Sequence, residues 1–411
     1  MSLTSHIFGI DRTSAKTGLF APVWQRLAIA TNWPILVAIA VLCTLGVCSI
    51  WADSTADGKK QLLFIAVGAA CMILFQAVNY LKIGQLSWFF YLLAMVLILY
   101  TILPGVPRRG FGSVPVIKGA HPWIKFGLFS FQPSELMKIA FVMVLARYLR
   151  YRSNYRTLPG LMAPFALALV PVAMIIKQPD LGTALIFIPA LFAMLFVAGA
   201  RLWHLAAVVM MGIMVAPVMW LAGPAPDGPG LPVFKYLPVM VKPYQRARVI
   251  SMFHNDPRTQ RDKGYQQHHA LVAFGSGGIT GKGIGDIPVG EHVPEAHNDM
   301  VFALIGEQLG LFGAAAVLVA YGVLFAAGIE IAGSTREPFG RLMAAGIVSV
   351  FAGQTFINLM VCLKLMPVTG ITLPFVSYGG SSLLASFMAA GLLLNIGQNR
   401  PVVMAKDSFE Y

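Results

Sequence analysis

The chain is a succession of long apolar runs separated by short polar segments. Nine runs are free of charge over the roughly 20 residues that a helix needs to cross a bilayer, and a tenth run carries Glu135 and Lys138. Strands of a membrane barrel would alternate in polarity over about ten residues, and these runs do not. The pattern therefore predicts an all-α integral membrane protein with about ten transmembrane helices. In chain order the runs are 27–52, 61–81, 83–107, 134–150, 157–176, 181–200, 202–226, 308–329, 342–363 and 365–399.

The composition supports a membrane location for most of the chain. Of the 411 residues, 57% are hydrophobic and 11% are charged, whereas a soluble domain carries about a quarter of its residues as charged side chains. A disordered chain, a collagen-like fibre and a disulfide-stapled secreted module are excluded. The formal net charge of +13 lies mostly in loops between apolar runs. We therefore expect anionic membrane lipid or a phosphate-bearing substrate as partner, and no nucleic acid.

The distribution of Lys and Arg among the short loops predicts that both termini are cytoplasmic. In this topology residues 1–26 form a cytoplasmic N-terminal segment and residues 400–411 a cytoplasmic tail. Residues 227–300 become a large extracytoplasmic loop between the seventh and eighth helices, and loops of this length usually carry function or are disordered. Its interspersed aromatic, glycine and charged residues favour an ordered loop. We predict a single polytopic membrane domain over 1–411.

Familiar metal and nucleotide motifs are not present. The four cysteines lie inside apolar runs without C-x-x-C spacing, which favours packing as small apolar side chains. The glycine-rich stretch 275–285 lacks the Walker A residues at Ser276 and Gly283. A tightly turned loop is favoured there over backbone amides that approach a ligand. We expect no metal ligand set and no certain cofactor, with a divalent cation such as Mg²⁺ as the one candidate.

Charged residues in and beside the apolar runs indicate a polar site on the outer side. Glu135 and Lys138 are three residues apart, so they share a helix face and can pair. A charge inside a span costs about 2.5–3.5 kcal/mol on insertion scales. The pair is therefore either a structural ion pair or part of a substrate cavity in which Lys138 meets an anion. Asp180 lies in the short outside turn 177–180, where it is either hydrated or joins that cavity.

Two further segments add to this predicted site. Glu295, His297 and Asp299 end the long loop as the eighth helix begins. Asp299 either acts chemically or caps this helix, because a carboxylate is stabilised by the free amides of a helix N-terminus. Glu307 falls on nearly the same helical face and adds a buried acid. The glycines and serines of 374–382 allow the backbone to approach a ligand or a neighbouring helix. The residues alone do not identify the substrate.

Taken together and in this order, the polar segments resemble those of the SEDS family (shape, elongation, division and sporulation proteins) of bacterial cell-wall polymerases. The similarity covers nearly the whole chain, from the first span to about Arg400. The motifs that carry it are Trp123-Ile124, Gln132-Pro133-Ser134-Glu135 with Lys138, Gln178 to Thr183, Gly275 to Gly278 with Gly281 and Gly283, Pro294-Glu295 with His297 and Asp299, and Pro374 to Ser382.

The resemblance implies a multi-pass enzyme of the bacterial inner membrane, a peptidoglycan glycosyltransferase that polymerises lipid II. It also implies a class B penicillin-binding protein transpeptidase as partner. Asp299 matches the catalytic aspartate of the family. Arg108 and Arg109 are added as candidates for the basic residue that the family usually places before the tryptophan. The substrate-binding residues that the motifs imply are Glu135, Lys138, Trp123, Gln132, Asp180, His297, Glu295, Ser377 and Tyr378.

Some positions depart from the family pattern or leave its branches open. Asn298 and Met300 replace a threonine and an aromatic residue on either side of Asp299, and Gln308 replaces a second acid. Residues 244–248 resemble the elongation (RodA) branch and residues 199–203 the division (FtsW) branch, and we favour elongation. Two other functions also fit the sequence: a flippase or transporter for lipid II, and a non-catalytic scaffold of the cell-wall synthesis complex.

Overall fold

The structure is a computed structural model that describes residues 32–103, 105–107, 110, 112–116, 121–127, 129–152, 154–222, 241, 245–246, 248–250 and 264–399. Helices dominate it, and the described strands form one short antiparallel hairpin. The hairpin consists of β1 (Ile124–Phe126) and β2 (Phe129–Phe131). The α-helices are α1 Trp33–Asp53, α2 Thr55–Ala77, α3 Tyr80–Gln85, α4 Ser87–Ile102, α5 Pro133–Arg150, α6 Met162–Lys177, α7 Leu181–Ala198, α8 Leu202–Leu221, α9 Tyr265–Ser276, α10 Ala296–Asp299, α11 Val301–Ser334, α12 Pro338–Cys362 and α13 Gly380–Gln398. Short 3₁₀ turns occur at Asn154–Arg156, Pro159–Leu161 and Gly290–His292.

Within the described residues, 8 helices are long and apolar enough to cross a membrane. They are α1, α2, α6 with its preceding 3₁₀ turn, α7, α8, α11, α12 and α13. Helix α4 is apolar but has 16 residues, and α5 carries charged residues at both ends. The fold class of an all-α integral membrane protein is confirmed. The total of ten spans and the predicted sidedness stay predictions, and the predicted segments 1–26 and 400–411 lie outside the described residues.

Two apolar runs differ in extent from the helices that contain them. The apolar run at 308–329 belongs to the longer helix α11, which already begins at Val301 and has a kink at Gly310. The run at 365–399 is helical only from Gly380 onwards. The segment before it turns repeatedly through positive φ angles, at Lys364, Gly370 and Phe375 among others. This segment lies partly buried in the protein, where backbone groups find partners without a helix.

The buried centre of the molecule is formed by α5, α7, α11, α12 and α13, while α8 buries a single residue, Leu205. A small residue also brings α13 close to α2. A Cβ atom on Gly391 of α13 would lie 2.5 Å from the carbonyl oxygen of Met72 in α2. Larger side chains would force the two helices apart, so glycine at this position fixes their packing.

The sidedness is testable by cysteine labelling in a background without the native cysteines. Glu291 lies in the described part of the long loop and Arg336 between α11 and α12, and both side chains are exposed. We expect Glu291→Cys to react with an impermeant maleimide from outside and Arg336→Cys to react only after permeabilisation, because the Lys and Arg bias places them on opposite sides. Reaction of both from one side would contradict the topology.

Candidate active site

Asp299 lies at a bend between two helices. Helix α10 ends at Asp299, and α11 begins at Val301 after Met300 adopts non-helical angles (φ −118°, ψ 20°). The N-cap position of α11 is occupied by Met300, which makes no side-chain cap. The interpretation of Asp299 as the N-cap is therefore wrong, because the bend starts the helix one residue later than that interpretation requires.

Polar side chains from two other helices hold Asp299 in place. Gln266 of α9 donates from Nε2 to Oδ1 of Asp299 at 2.8 Å, and also to the carbonyl of Pro294 at 3.0 Å. Asn358 of α12 donates from Nδ2 to the Asp299 carbonyl at 2.8 Å. The Asp299 side chain is half-buried, so its carboxylate has a fixed position and still reaches the surface of the site.

His297 contacts an acid at the end of the first helix. Its Nδ1 lies 2.9 Å from Oδ2 of Asp53, and this hydrogen bond is the main reason why the pKa of His297 is raised above its ordinary value. The carbonyl of His297 accepts from the amide of Tyr378 at 2.9 Å. The two rings meet edge to face with centroids 5.5 Å apart. His297, Tyr378 and Asp53 therefore form one cluster beside Asp299.

A second cluster surrounds the predicted ion pair. Nζ of Lys138 lies 2.8 Å from the Glu135 carboxylate, and the side chains are 3% and 7% exposed. The pairing is confirmed. Asp180 accepts from Nε2 of Gln132 at 3.0 Å, caps α7 through the amide of Thr183 at 3.1 Å, and interacts electrostatically with Glu135 and Lys138. Asp180 is therefore part of this cluster and not a merely hydrated turn residue.

The non-helical segment before α13, together with Ser381 in the first turn of α13, joins the two clusters. Ser381 Oγ accepts from the Gln132 amide at 3.1 Å and donates to the Ser130 carbonyl at 2.7 Å. On the other side, the Ser377 carbonyl accepts from Nε2 of Gln61 at 3.0 Å, and the Tyr378 amide reaches His297 as described above. The prediction that this glycine- and serine-rich segment approaches neighbouring elements agrees with these contacts.

Close packing against this segment also explains the glycine of the 178–183 motif. A Cβ atom on Gly182 would lie 2.5 Å from the carbonyl oxygen of Thr369. The sequence-predicted residues Gln132, Glu135, Lys138, Asp180, His297, Asp299, Ser377 and Tyr378 are thus connected through hydrogen bonds, an ion pair and packing at one end of the helices.

Other predicted residues lie apart from these contacts or outside the description. Trp123 is half-buried directly before β1, and Gln132 directly follows β2, so the hairpin positions the start of α5. Glu295 is exposed at φ 54° and accepts from Nδ2 of Asn298 at 2.8 Å. The predicted substrate residues Arg108 and Arg109 lie outside the described residues.

Glu307 is buried, as predicted, but its carboxylate supports the glycine-rich loop. It accepts from Nζ of Lys282 at 2.6 Å and from the amides of Val289 and Gly290 at 3.1 and 2.7 Å. The amide of Gly283 in turn donates to the carbonyl of Gln308 at 3.0 Å. The glycine-rich stretch is a tightly turned loop packed on α11, and the amides of Gly278, Gly281, Lys282 and Gly283 donate to protein carbonyls.

Sequence reasoning missed four residues that complete the site: Asp53, Gln61, Gln266 and Asn358. Asn358 carries a recognisable signal, since it is an amide inside an apolar run. Asp53 is an acid at the end of the first run. Gln61 and Gln266 act on residues far away in the chain, and no local pattern indicates those contacts.

Among the residues that the structure describes, no three His, Cys, Asp or Glu side chains are grouped closely enough to hold a metal ion. The acids of the site are instead engaged with Gln132, Gln266, Lys138 and His297. We therefore assign no residue set to the candidate divalent cation.

Comparison with known proteins places this chain in a family. The model of the FtsW/RodA/SpoVE family, described as cell cycle protein, matches residues 26–401. Stage V sporulation protein E of Bacillus subtilis is 34% identical over 89% of this chain and 94% of its own length. A probable peptidoglycan glycosyltransferase FtsW of Geobacter metallireducens is 32% identical over 88% of this chain and 93% of its own length.

Two solved structures share the fold. One, described as "Structural coordination of polymerization and crosslinking by a peptidoglycan synthase complex", has a TM-score of 0.73 and 28% identity, and covers 91% of this chain and 99% of the other. The rod shape determining protein RodA of Thermus thermophilus has a TM-score of 0.63 and 24% identity, and covers 91% and 98% of the two chains. The second similarity shows the fold alone.

The fold and these relatives define a multi-pass enzyme of the bacterial inner membrane, of the peptidoglycan glycosyltransferase class. The chain belongs to the FtsW/RodA/SpoVE family, as its resemblance to the SEDS proteins implied. Relatives from the division and sporulation branches and a RodA structure all match it, so the comparisons do not separate elongation from division.

The raised pKa of His297 predicts a pH dependence of stability. A histidine whose pKa rises on folding stabilises the fold fully below its unfolded pKa, and this contribution is lost as the pH rises through the folded pKa. Replacing Asp53 by Asn removes the main cause of the shift. In detergent, the difference in unfolding temperature between wild type and Asp53→Asn should therefore be largest in mild acid and shrink above neutral pH. A difference that grows with pH would contradict the charged pair.

Proposed function

We propose that the chain polymerises lipid II into glycan strands, by inverting transfer with an aspartate base. The observation that carries the proposal is the position of Asp299, whose carboxylate is half-buried, held by Gln266, and joined through 369–382 to the cluster that contains Lys138. The relatives named probable peptidoglycan glycosyltransferase support the reaction class. A flippase or a scaffold would not need a carboxylate held in this way.

Asp299 takes the role of general base in the proposed reaction. It removes the proton from the 4-hydroxyl of the acceptor sugar, whose oxygen attacks the anomeric carbon of the donor. Undecaprenyl diphosphate leaves from the opposite face, so a single displacement inverts the anomeric configuration. A positioned base of this kind contributes about 10²–10⁴-fold to the rate.

Lys138 takes the role of stabilising the negative charge that develops on the leaving diphosphate. An ammonium group stabilises a nearby negative charge more strongly in a water-poor site than in water, because the local dielectric is low. Glu135 holds the ammonium at 2.8 Å and offsets the cost of its burial. Gln132 and Asp180 are the neighbouring groups that fix the position of this cluster.

The biological setting is the remaining part of the proposal. We assign the chain to cell elongation, because Gln245, Arg246 and Arg248 fit the elongation branch. The similarity to a chain of a complex that coordinates polymerization and crosslinking supports a class B penicillin-binding protein transpeptidase as partner. Lipid II polymerisation in liposomes, measured with and without the co-purified transpeptidase, tests the pairing.

Replacing Asp299 by Asn separates catalysis from structure. The amide keeps the size of the side chain but does not take up the proton, so lipid II polymerisation in liposomes should fall by about 10²-fold or more while folding is retained. Glycan chain formation and thermal unfolding in detergent are measured on the same preparation. Glu291→Gln serves as a matched control, since this exposed acid precedes Asp299 by eight residues on the same segment.

Near wild-type polymerisation by a folded Asp299→Asn variant would refute the role of general base. Exchange of lipid II between leaflets without glycan formation by the wild type would favour the flippase, and neither activity would favour the scaffold.

The role of Lys138 is tested by replacing it alone and together with its partner Glu135. Lys138→Met alone leaves Glu135 buried without a cation, which costs about 3–5 kcal/mol of stability. The double variant Lys138→Met and Glu135→Gln removes both charges, so stability should recover. If Lys138 acts on the diphosphate, polymerisation stays low in the double variant. Recovery of polymerisation together with stability would reduce Lys138 to a structural partner.

A further inference from the structure

A large cavity lies at the end of the helices opposite Asp299. It has a volume of about 720 Å³ and opens among the first turns of α4, the last turns of α5 and the first turns of α6. Its walls include Trp88, Leu92 and Val170, which are 43%, 59% and 49% exposed. The hydroxyl of Tyr91, which lines the cavity, donates to the Leu167 carbonyl at 2.9 Å and ties α4 to α6. The volume is in the range of ligand sites, roughly 300–1,000 Å³.

The position of the cavity separates it from the proposed active site. Helix α5 has 18 residues, so its two ends are about 27 Å apart. Glu135 and Lys138 lie near the first end, whereas Arg147, Tyr148 and Tyr151 line the cavity at the other. The distance is close to the hydrocarbon thickness of a bilayer, about 30 Å. Trp and Tyr side chains are typical of the interface where such a cavity would open.

The cavity is partly basic. Arg147 and Arg152 line it, and an adjoining cavity of about 370 Å³ shares Tyr151 and Arg152 and adds Arg150 and Arg341. Arg150 pairs with Glu337 at 3.1 Å. Arg147 uses one donor on the Gly84 carbonyl at 2.7 Å and retains its charge. The buried Nε of Arg341 has no hydrogen-bond partner among the described residues. The described groups thus leave several guanidinium charges for an anion.

The geometry points to a binding site for an anionic phospholipid in the membrane leaflet opposite the active site. The acyl chains lie along the apolar wall formed by α4 and α6, and the phosphate is held by Arg147 and Arg152 at the mouth. A soluble anion would not need the exposed apolar wall, and a neutral lipid would not need the arginines. Basic pockets between helices on the cytoplasmic side are suited to such headgroups, and the Lys and Arg bias predicts that this is the cytoplasmic side.

Three variants separate the parts of this site. Arg152→Gln removes one phosphate contact at an exposed position, and Ala166→Trp fills the cavity from α6 without changing any charge. Arg201→Gln is the matched control, because this exposed arginine precedes α8 and does not line the cavity. Native mass spectrometry and thermal unfolding of the full chain in detergent are recorded with phosphatidylglycerol, phosphatidylcholine or a polyprenyl diphosphate.

We expect phosphatidylglycerol to bind the wild type at least tenfold more tightly than phosphatidylcholine. Arg152→Gln should reduce this preference about tenfold, as expected for a charge-assisted hydrogen bond. Ala166→Trp should abolish binding of both lipids, and Arg201→Gln should match the wild type. Unchanged phosphatidylglycerol binding by folded Arg152→Gln and Ala166→Trp would overturn the proposal. An equal loss in Arg201→Gln, or displacement of phosphatidylglycerol by polyprenyl diphosphate at lower concentration, would also overturn it.

Discussion

The side-chain amide of Asn358 is the interaction on which the geometry of the site depends. It donates to the carbonyl of Asp299 at 2.8 Å and to the carbonyl of Ile371 at 2.7 Å, and it is 1% exposed. The first carbonyl lies at the bend between α10 and α11, which carries the catalytic candidate, and the second lies in the non-helical segment before α13. Irregular backbone at membrane depth is tolerated where its polar groups are satisfied by protein. One buried amide therefore permits two bends and fixes their separation.

Pairing of buried charge is the second condition that shapes the molecule. Lys138 with Glu135, and Lys282 with Glu307, each place an acid and a base within 2.8 Å of each other, and three of these side chains are almost fully buried while that of Lys282 is 23% exposed. An unpaired charge would cost several kcal/mol in either place. The two pairs nevertheless have different surroundings and roles. The Glu307 carboxylate also accepts hydrogen bonds from loop amides. The Lys138 pair instead lies beside Gln132 and Asp180, in the cluster joined to Asp299.

The sequence predicts the fold class and most of the site because both depend on residue type. Apolar runs indicate the helices, and charges such as Glu135 and Lys138 are too costly in a membrane to lack a role. The late start of α13 is missed, because hydropathy does not distinguish a helix from buried irregular backbone. The partners Asp53 and Gln266 are missed for another reason. Their contacts with His297 and Asp299 join residues distant in the chain, and local spacing contains no information about them.

Helix α5 shows how the centre of the protein accommodates a helix of low hydropathy. It carries Glu135 and Lys138 near one end and Arg147 and Arg150 near the other. Between them, the residues from Ile139 to Ala146 are all buried in the protein. Helix α5 is enclosed by α4, α7 and α12 and needs no continuous apolar surface. It can therefore carry charged residues at both of its ends. The ion pair then lies at the proposed active site and the arginines at the aromatic cavity. The charged residues lower the hydropathy of α5, and enclosure by its neighbours allows them. The same enclosure makes α5 the rigid element that carries both sites.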